Sequence, residues 1–286
     1  MNPSFKFLYL ILFFINILIA QDLSEIDKDL SSLNFKKALI PLEELNDSNP
    51  NNTDILLRLS ITHHYLSEKA IIKKEDKENA QKAYRYIEQA YNLSSKDPNI
   101  LKWYVVALGK TVEEESIRKQ IEQSKNIENL SLKVIELLPD DEFCYNIMGQ
   151  WHYKLASLGK ASRRIASFLF SEPPQGSFEK AKYFLEKSIE LNPDYIGTYY
   201  WLGKTHLKLN NEKKAYDLFN KGVLLERPFK REERLFQDMK NIIETAKAYK
   251  INLPLSKKIK KLYEVMVKEG KSSLDHSALY LLIKKL

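Results

Sequence analysis

Beyond residue 21 the apolar positions recur at helical spacing. Over Phe178 to Asn192, the residues Ala181, Phe184, Leu185, Ser188 and Ile189 fall at i, i+3, i+4, i+7 and i+8, one stripe along a helix that Pro193 ends. Tyr195 to Leu209 is predicted as a second helix, with Tyr199, Leu202, Gly203 and His206 on one side. Asn210 and Asn211 make the turn. Lys213 to Leu225 is then a third helix, carrying Ala215, Phe219 and Gly222. The small residues let two antiparallel helices approach closely, and the large ones fill the space beside them.

The same register recurs upstream. Ala38, Leu42 and Leu45 with Pro50 read as a second repeat helix and its stop, and Leu56, Leu59 and Ser60 open the next hairpin, closed by Ala83, Ile87 and Ala90. Trp103, Val106 and Ala107 open another, and Tyr145, Met148 and Gly149 a fourth, closed by Ala181, Leu185 and Pro193. Four to five hairpins are predicted between about residues 23 and 229. The order aromatic, Leu-Gly, then Ala, Phe and a small residue resembles a tetratricopeptide repeat of 34 residues, with Gly149, Ala181, Tyr199, Leu202, Gly203, Ala215 and Phe219 as packing positions. The resemblance implies an all-α solenoid of tetratricopeptide-like hairpins. The segment 230–286 is expected to be a basic helical cap.

Two insertions interrupt the register. One of 11 residues, rich in Lys and Glu, falls between His63 and Ala83. A longer one of 20 residues falls between Gly149 and Ala181, at about 155–176. The longer one reads as an extended first helix, an amphipathic piece (Ala161, Ile165, Phe168, Leu169) and a loop at Pro173, Pro174 and Gly176. Degenerate repeats with this insertion resemble the regulator of microtubule dynamics family. The carrying residues are Gly149-Gln150-Trp151, Tyr153, Ile165-Ala166, Phe168-Leu169-Phe170, Pro173-Pro174, and the run from Leu191-Asn192-Pro193 to Leu202-Gly203-Lys204. The resemblance covers roughly residues 25–245. It implies a non-enzymatic, microtubule-associated repeat protein, some members being anchored by an N-terminal membrane segment. Residues 237–286 resemble the C-terminal helical segment of β-hydroxyacid dehydrogenases, through Asp238-Met239-Lys240, Glu244-Thr245-Ala246, Leu253-Pro254-Leu255 and Asp275-His276-Ser277-Ala278-Leu279. The Gly-x-Gly-x-x-Gly of a dinucleotide fold is missing, so that resemblance implies at most a partner of a dehydrogenase subunit.

Composition narrows the field. With 8 Gly and 10 Pro in 286 residues, about half the average usage, the chain is short of the turns that sandwiches and Gly-rich nucleotide-binding sheets need. A single cysteine, Cys144, excludes an intramolecular disulfide framework. The net charge is +7, and residues 227–261 carry eleven Lys or Arg against four acids, so the tail holds the excess. Arg is scarce, at eight, and the basic residues are not interleaved with a reading motif, so nucleic acid is not an expected partner. At the N-terminus, Phe7 to Ala20 is fourteen residues broken only by Asn16. That is short for a membrane span and about right for the core of a signal peptide. Residues 1–20 are thus expected to be a signal peptide cleaved near Ala20, exporting the chain. The alternative is an uncleaved anchor that leaves the repeats facing the cytosol.

No catalytic, cofactor or metal site is expected. His63, His152 and His206 share a repeat position where an aromatic ring packs. Adjacent His63 and His64 point about 100° apart on a helix and do not make a metal face. Cys144 has no evident base. Asp140 and Asp141 start a helix. The expected function is therefore binding of a protein or peptide by the concave face. Trp151 and Tyr200 are the expected groove aromatics, and Lys204 and Lys208, four apart, a clamp for an acidic group. Lys160, Arg163 and Arg164 form a basic patch suited to acidic protein segments such as tubulin tails, or to anionic membrane.

Overall fold

The computed structural model describes residues 23–170 and 174–248. The predicted leader, Pro173 and the tail beyond residue 248 lie outside the described residues. Those described are helical or irregular, without a strand. Helix α1 (23–31) pairs with α2 (Phe35–Ser48), α3 (Thr53–Lys69) with α4 (Lys73–Leu93), and α5 (Pro98–Glu113) with α6 (Ile117–Leu137). Helix α7 (Glu142–Ala156) pairs with α9 (Phe178–Leu191), separated by α8 (Lys160–Leu169). Helix α10 (Ile196–Lys208) pairs with α11 (Glu212–Gly222), and α12 (Lys230–Ala248) packs on both. Five antiparallel hairpins in series, each packed on the next, make the tetratricopeptide-like array.

Side-chain caps set many of the boundaries. The Asn52 side chain accepts from the Asp54 and Ile55 N–H groups, Asp97 caps α5 ahead of Pro98, and Asp141 accepts from the Phe143 N–H. Ser116 and Ser177 cap α6 and α9. Asn210 takes φ 59° in the α10–α11 turn, a left-handed conformation that Asn tolerates well. The close approaches fall at the expected small residues. A Cβ on Gly203 would overlap the Phe219 ring, and one on Gly149 would overlap Leu185. Ala181, Leu202, Ala215 and Phe219 are almost fully buried, and Tyr199 nearly so. Burial of such stripes, at roughly 25 cal/mol per Å² of apolar surface, holds the hairpins together.

The insertions are absorbed differently. The one between His63 and Ala83 lengthens α3 and α4 to 17 and 21 residues. The longer one leaves α7 unextended, ending at Ala156, and forms α8, which packs on α6. Ser162, Ile165, Ala166 and Leu169 turn toward α6, whereas Ala161 is exposed and Phe168 is 83% exposed. The buried stripe of α8 is thus rotated from the expected one, centring on Ala166 with Phe168 outside. Gly176 closes the excursion: a Cβ there would overlap the backbone at the end of α7. Among the described residues no helix is long and apolar enough to cross a membrane.

Candidate functional site

The first helices of the hairpins, α3, α5, α7 and α10, touch one another along one side of the array and form its concave face. There α3, α5, α6 and α7, with residues 229–232 across the opening, enclose a cavity of about 440 Å³. Its floor is apolar, built from Val106, Ile121, Ile127, Ile147 and Trp151. Its mouth is charged.

At the mouth, Glu68 of α3 is 9% exposed and accepts from Lys110 of α5 at 2.8 Å. Arg231 of α12 lies 3.6 Å from Glu68 and 3.3 Å from Glu113, and Lys154 of α7 reaches Glu113 at 2.9 Å. With Asp76 of α4 at 3.2 Å from Lys110, three carboxylates and three cations thus alternate across five helices. Burial alone would push the carboxyl of Glu68 up, but Arg231 and Lys110 outweigh it and hold it below its ordinary range. Glu113 is likewise opposed by burial, and Arg231 and Lys154 bring it down to about 2. Arg231 is raised despite its burial, because both acids favour its charged form. Glu232 behaves oppositely: burial, with Glu68 nearby, pushes it up to about 7 against the Phe229 N–H that it accepts.

Trp151 forms a wall of this cavity and not a free groove aromatic. It is 6% exposed, and its Nε1–H donates to the Ser124 carbonyl at 2.7 Å. Tyr200 is buried against α12, its hydroxyl 3.4 Å from Asp238. Lys204 does not form a clamp with Lys208. Its ammonium turns inward over the rings of Tyr153, Tyr200 and Trp201, at 5.5, 5.1 and 5.2 Å, whereas Lys208 is exposed. Burial lowers the Lys204 pKa. On α8, Lys160 and Arg164 are exposed, but Arg163 donates to the carbonyls of Leu158 and Ala156 at the end of α7. All three side chains of the basic patch are exposed, Arg163 being the one held by hydrogen bonds.

The histidines lie in the hairpins. His63 stacks on Tyr86 at 5.6 Å and donates from Nδ1 to Asn79, His152 stacks on Phe184 at 5.5 Å, and His206 is buried. His64 faces the cavity, edge-on to Tyr65 and Trp103, and burial brings it down to about 4. Cys144 is fully buried and burial pushes its thiol up. Among the described residues no cluster of His, Cys, Asp and Glu is placed to hold a metal ion.

Sequence reasoning missed Glu68, Lys110, Glu113 and Arg231. Each looks like an ordinary surface charge near a helix end, and their pairing joins hairpins far apart in the chain.

The family described as regulator of microtubule dynamics protein 1-3 matches residues 22–249. The chain is 31% identical to regulator of microtubule dynamics protein 1 of Mus musculus over 164 residues, 57% of this chain and 54% of that one. It is 22% identical to the protein of that name from Caenorhabditis elegans, over 76% of this chain and 96% of that one. It spans about half the length of the mammalian relatives it matches. Among solved structures, Pseudomonas aeruginosa PilF aligns at 14% identity with a TM-score of 0.49, covering 89% of this chain and 97% of that one. MamA from Desulfovibrio magneticus RS-1 aligns at 17% with a TM-score of 0.44, over 73% and 94%. The dehydrogenase-like tail finds no support: Asp238 to Ala246 lies in α12 and within the span of the family match.

Proposed function

The chain belongs to the regulator of microtubule dynamics family, and from that premise we propose that it is a non-enzymatic binding scaffold whose concave face takes a protein segment at the microtubule surface. The observation that carries the proposal is the 440 Å³ cavity with an apolar floor and an ordered set of paired charges at its mouth. Concave, mostly apolar sites with a few placed polar groups are the usual form of a binding site, and a groove between helices suits an extended or helical segment. Outside the cavity, exposed Lys160 and Arg164 on α8 supply a basic edge suited to acidic tubulin tails.

Co-sedimentation of the full chain with polymerised tubulin tests this. The chain is expected in the pellet at about 50 mM salt and in the supernatant at about 300 mM, because charge contacts at a wet surface are screened within a few ångströms at high salt. A chain that stays in the supernatant at low salt contradicts the proposal.

The apolar run Phe7 to Ala20 favours a second reading, an exported scaffold with another partner. The mass of the N-terminal peptide from the native host separates the two. A start at Gln21 supports export and removes tubulin as partner, whereas a start at Met1 in the membrane fraction leaves the repeats able to face microtubules.

A further inference from the structure

The concave face is already partly filled by the chain itself. After α11 ends at Gly222, residues 226–229 form no regular structure and cross from the last hairpin to the first ones. Phe229 stacks on Tyr65 of α3 at 5.2 Å between centroids, beside Phe35 at 6.4 Å, with the Lys69 ammonium 6.0 Å from its ring. Lys230 donates to the Ile71 carbonyl at 3.3 Å, across 159 residues of sequence. Arg231, two residues beyond Phe229, lies between Glu68 and Glu113. These contacts tie the start of α12 to α3 and α5, while the rest of α12 packs on α10 and α11 through Leu235, Met239 and Ile243. Glu226, Arg227 and Pro228 are exposed, and Leu224 at the hinge is 84% exposed. The segment is thus a strap laid over a receptive surface, made of residues 226–229 and the first turn of α12, with Arg227 held to α12 through Glu233 and the Phe236 ring.

We propose that Phe229-Lys230-Arg231 is a built-in competitor for the concave face. The partner of that face is then a protein segment presenting an aromatic ring two residues ahead of an arginine. Tyr65 and Phe35 receive the ring, Glu68 and Glu113 receive the guanidinium, one terminal nitrogen to each carboxylate, and the strap must leave for the partner to enter. The inference rests on the concave face being the binding surface and adds the chemistry of the segment and the control of access.

The probe is a fluorescent peptide with the sequence of residues 225–233, titrated by anisotropy against the full wild-type chain and the Phe229→Ala/Arg231→Ala variant. A tethered strap acts at an effective concentration in the millimolar range, so the variant is expected to bind the peptide at least about tenfold tighter than wild type. Adding Glu68→Gln to the variant is expected to weaken that binding. Equal binding to both proteins, or none to a variant that keeps its helical circular dichroism, overturns the inference. Arg231→Ala alone replaces a double variant that does not fold. Hydrogen exchange of the wild-type chain needs no variant: excess peptide is expected to speed exchange at 226–231, and unchanged exchange there overturns the proposal. The same proteins are then pelleted with microtubules. Pelleting of wild type without peptide binding to the variant overturns the strap and leaves the scaffold. Peptide binding to the variant with no pelleting upholds the strap and removes the microtubule partner.

Discussion

The concave face keeps two cations largely out of water by different chemistry. At its α10 end the Lys204 ammonium sits against three aromatic rings and the Tyr200 hydroxyl, 3.3 Å away, and its pKa is lowered by burial. At its α3 end Arg231 sits between two carboxylates and its pKa is raised. Rings offer a cation a modest attraction, about 0.5–2 kcal/mol, and make no demand on its charge. Carboxylates do make that demand: once desolvated, each acid and each base needs the others in place. The α10 end is therefore expected to tolerate change, and the α3 end to be brittle and responsive to salt and pH.

The largest effect is expected from Glu68→Ala. It leaves Lys110 with Asp76 alone and Arg231 with Glu113 alone at a site where Glu68 is 9% exposed, and removing one member of a buried ion-pair network costs about 3 kcal/mol. Urea denaturation monitored by circular dichroism reads this directly. A loss below about 1 kcal/mol would place the cluster with ordinary surface pairs.

Next comes Glu232→Gln, which keeps the acceptor for the Phe229 N–H. Glu232 is raised to about 7, well above the ordinary carboxyl range, so its charged form is disfavoured in the folded chain. That penalty is complete above about pH 7 and fades as pH falls toward 4.5, where the group is neutral in both states. The variant is expected to be more stable than wild type by about 2–3 kcal/mol at pH 8, with the gap closing by about pH 4.5. The buried histidines lose stability over part of the same range in both proteins and cancel in the difference. Glu113 has the opposite sign. Held at about 2, it contributes stability that is complete above about pH 4.5 and is lost between there and pH 2.

The smallest effect is expected from Lys204→Met. It exchanges a ring-bound ammonium for a thioether that fits the same aromatic surroundings, and a change within about 1 kcal/mol of zero in the same urea assay agrees with the comparison. A loss near that of Glu68→Ala would erase it.

What the chain's order of residues reveals follows the range of each interaction. Gly203 against Phe219 and Gly149 against Leu185 are contacts within a hairpin, so helical spacing and residue size are enough to find them, even across the α8 insertion. The α8 face was legible only in part. Phe168 reads as a core residue by hydrophobicity, but Ala166 is the small residue that sits against α6, and Phe168 is left outside. Trp151 and Tyr200 were placed on the correct helices, yet their burial depends on the Ser124 carbonyl and on α12, which no local pattern signals. The Glu68–Arg231 pair was not legible at all. Charged side chains near helix ends are most often solvated, and only closure of the array brings the start of α12 back to α3.

The central claim, that the concave face is the working surface, is tested most directly by hydrogen–deuterium exchange of the full chain with and without polymerised tubulin. Slowed exchange is expected in the last turns of α3 and α5, around Glu68 and Glu113, together with faster exchange at 226–231. Protection confined to α8, or to α4 and α6 away from the cavity, with α3 and α5 unchanged, would contradict it.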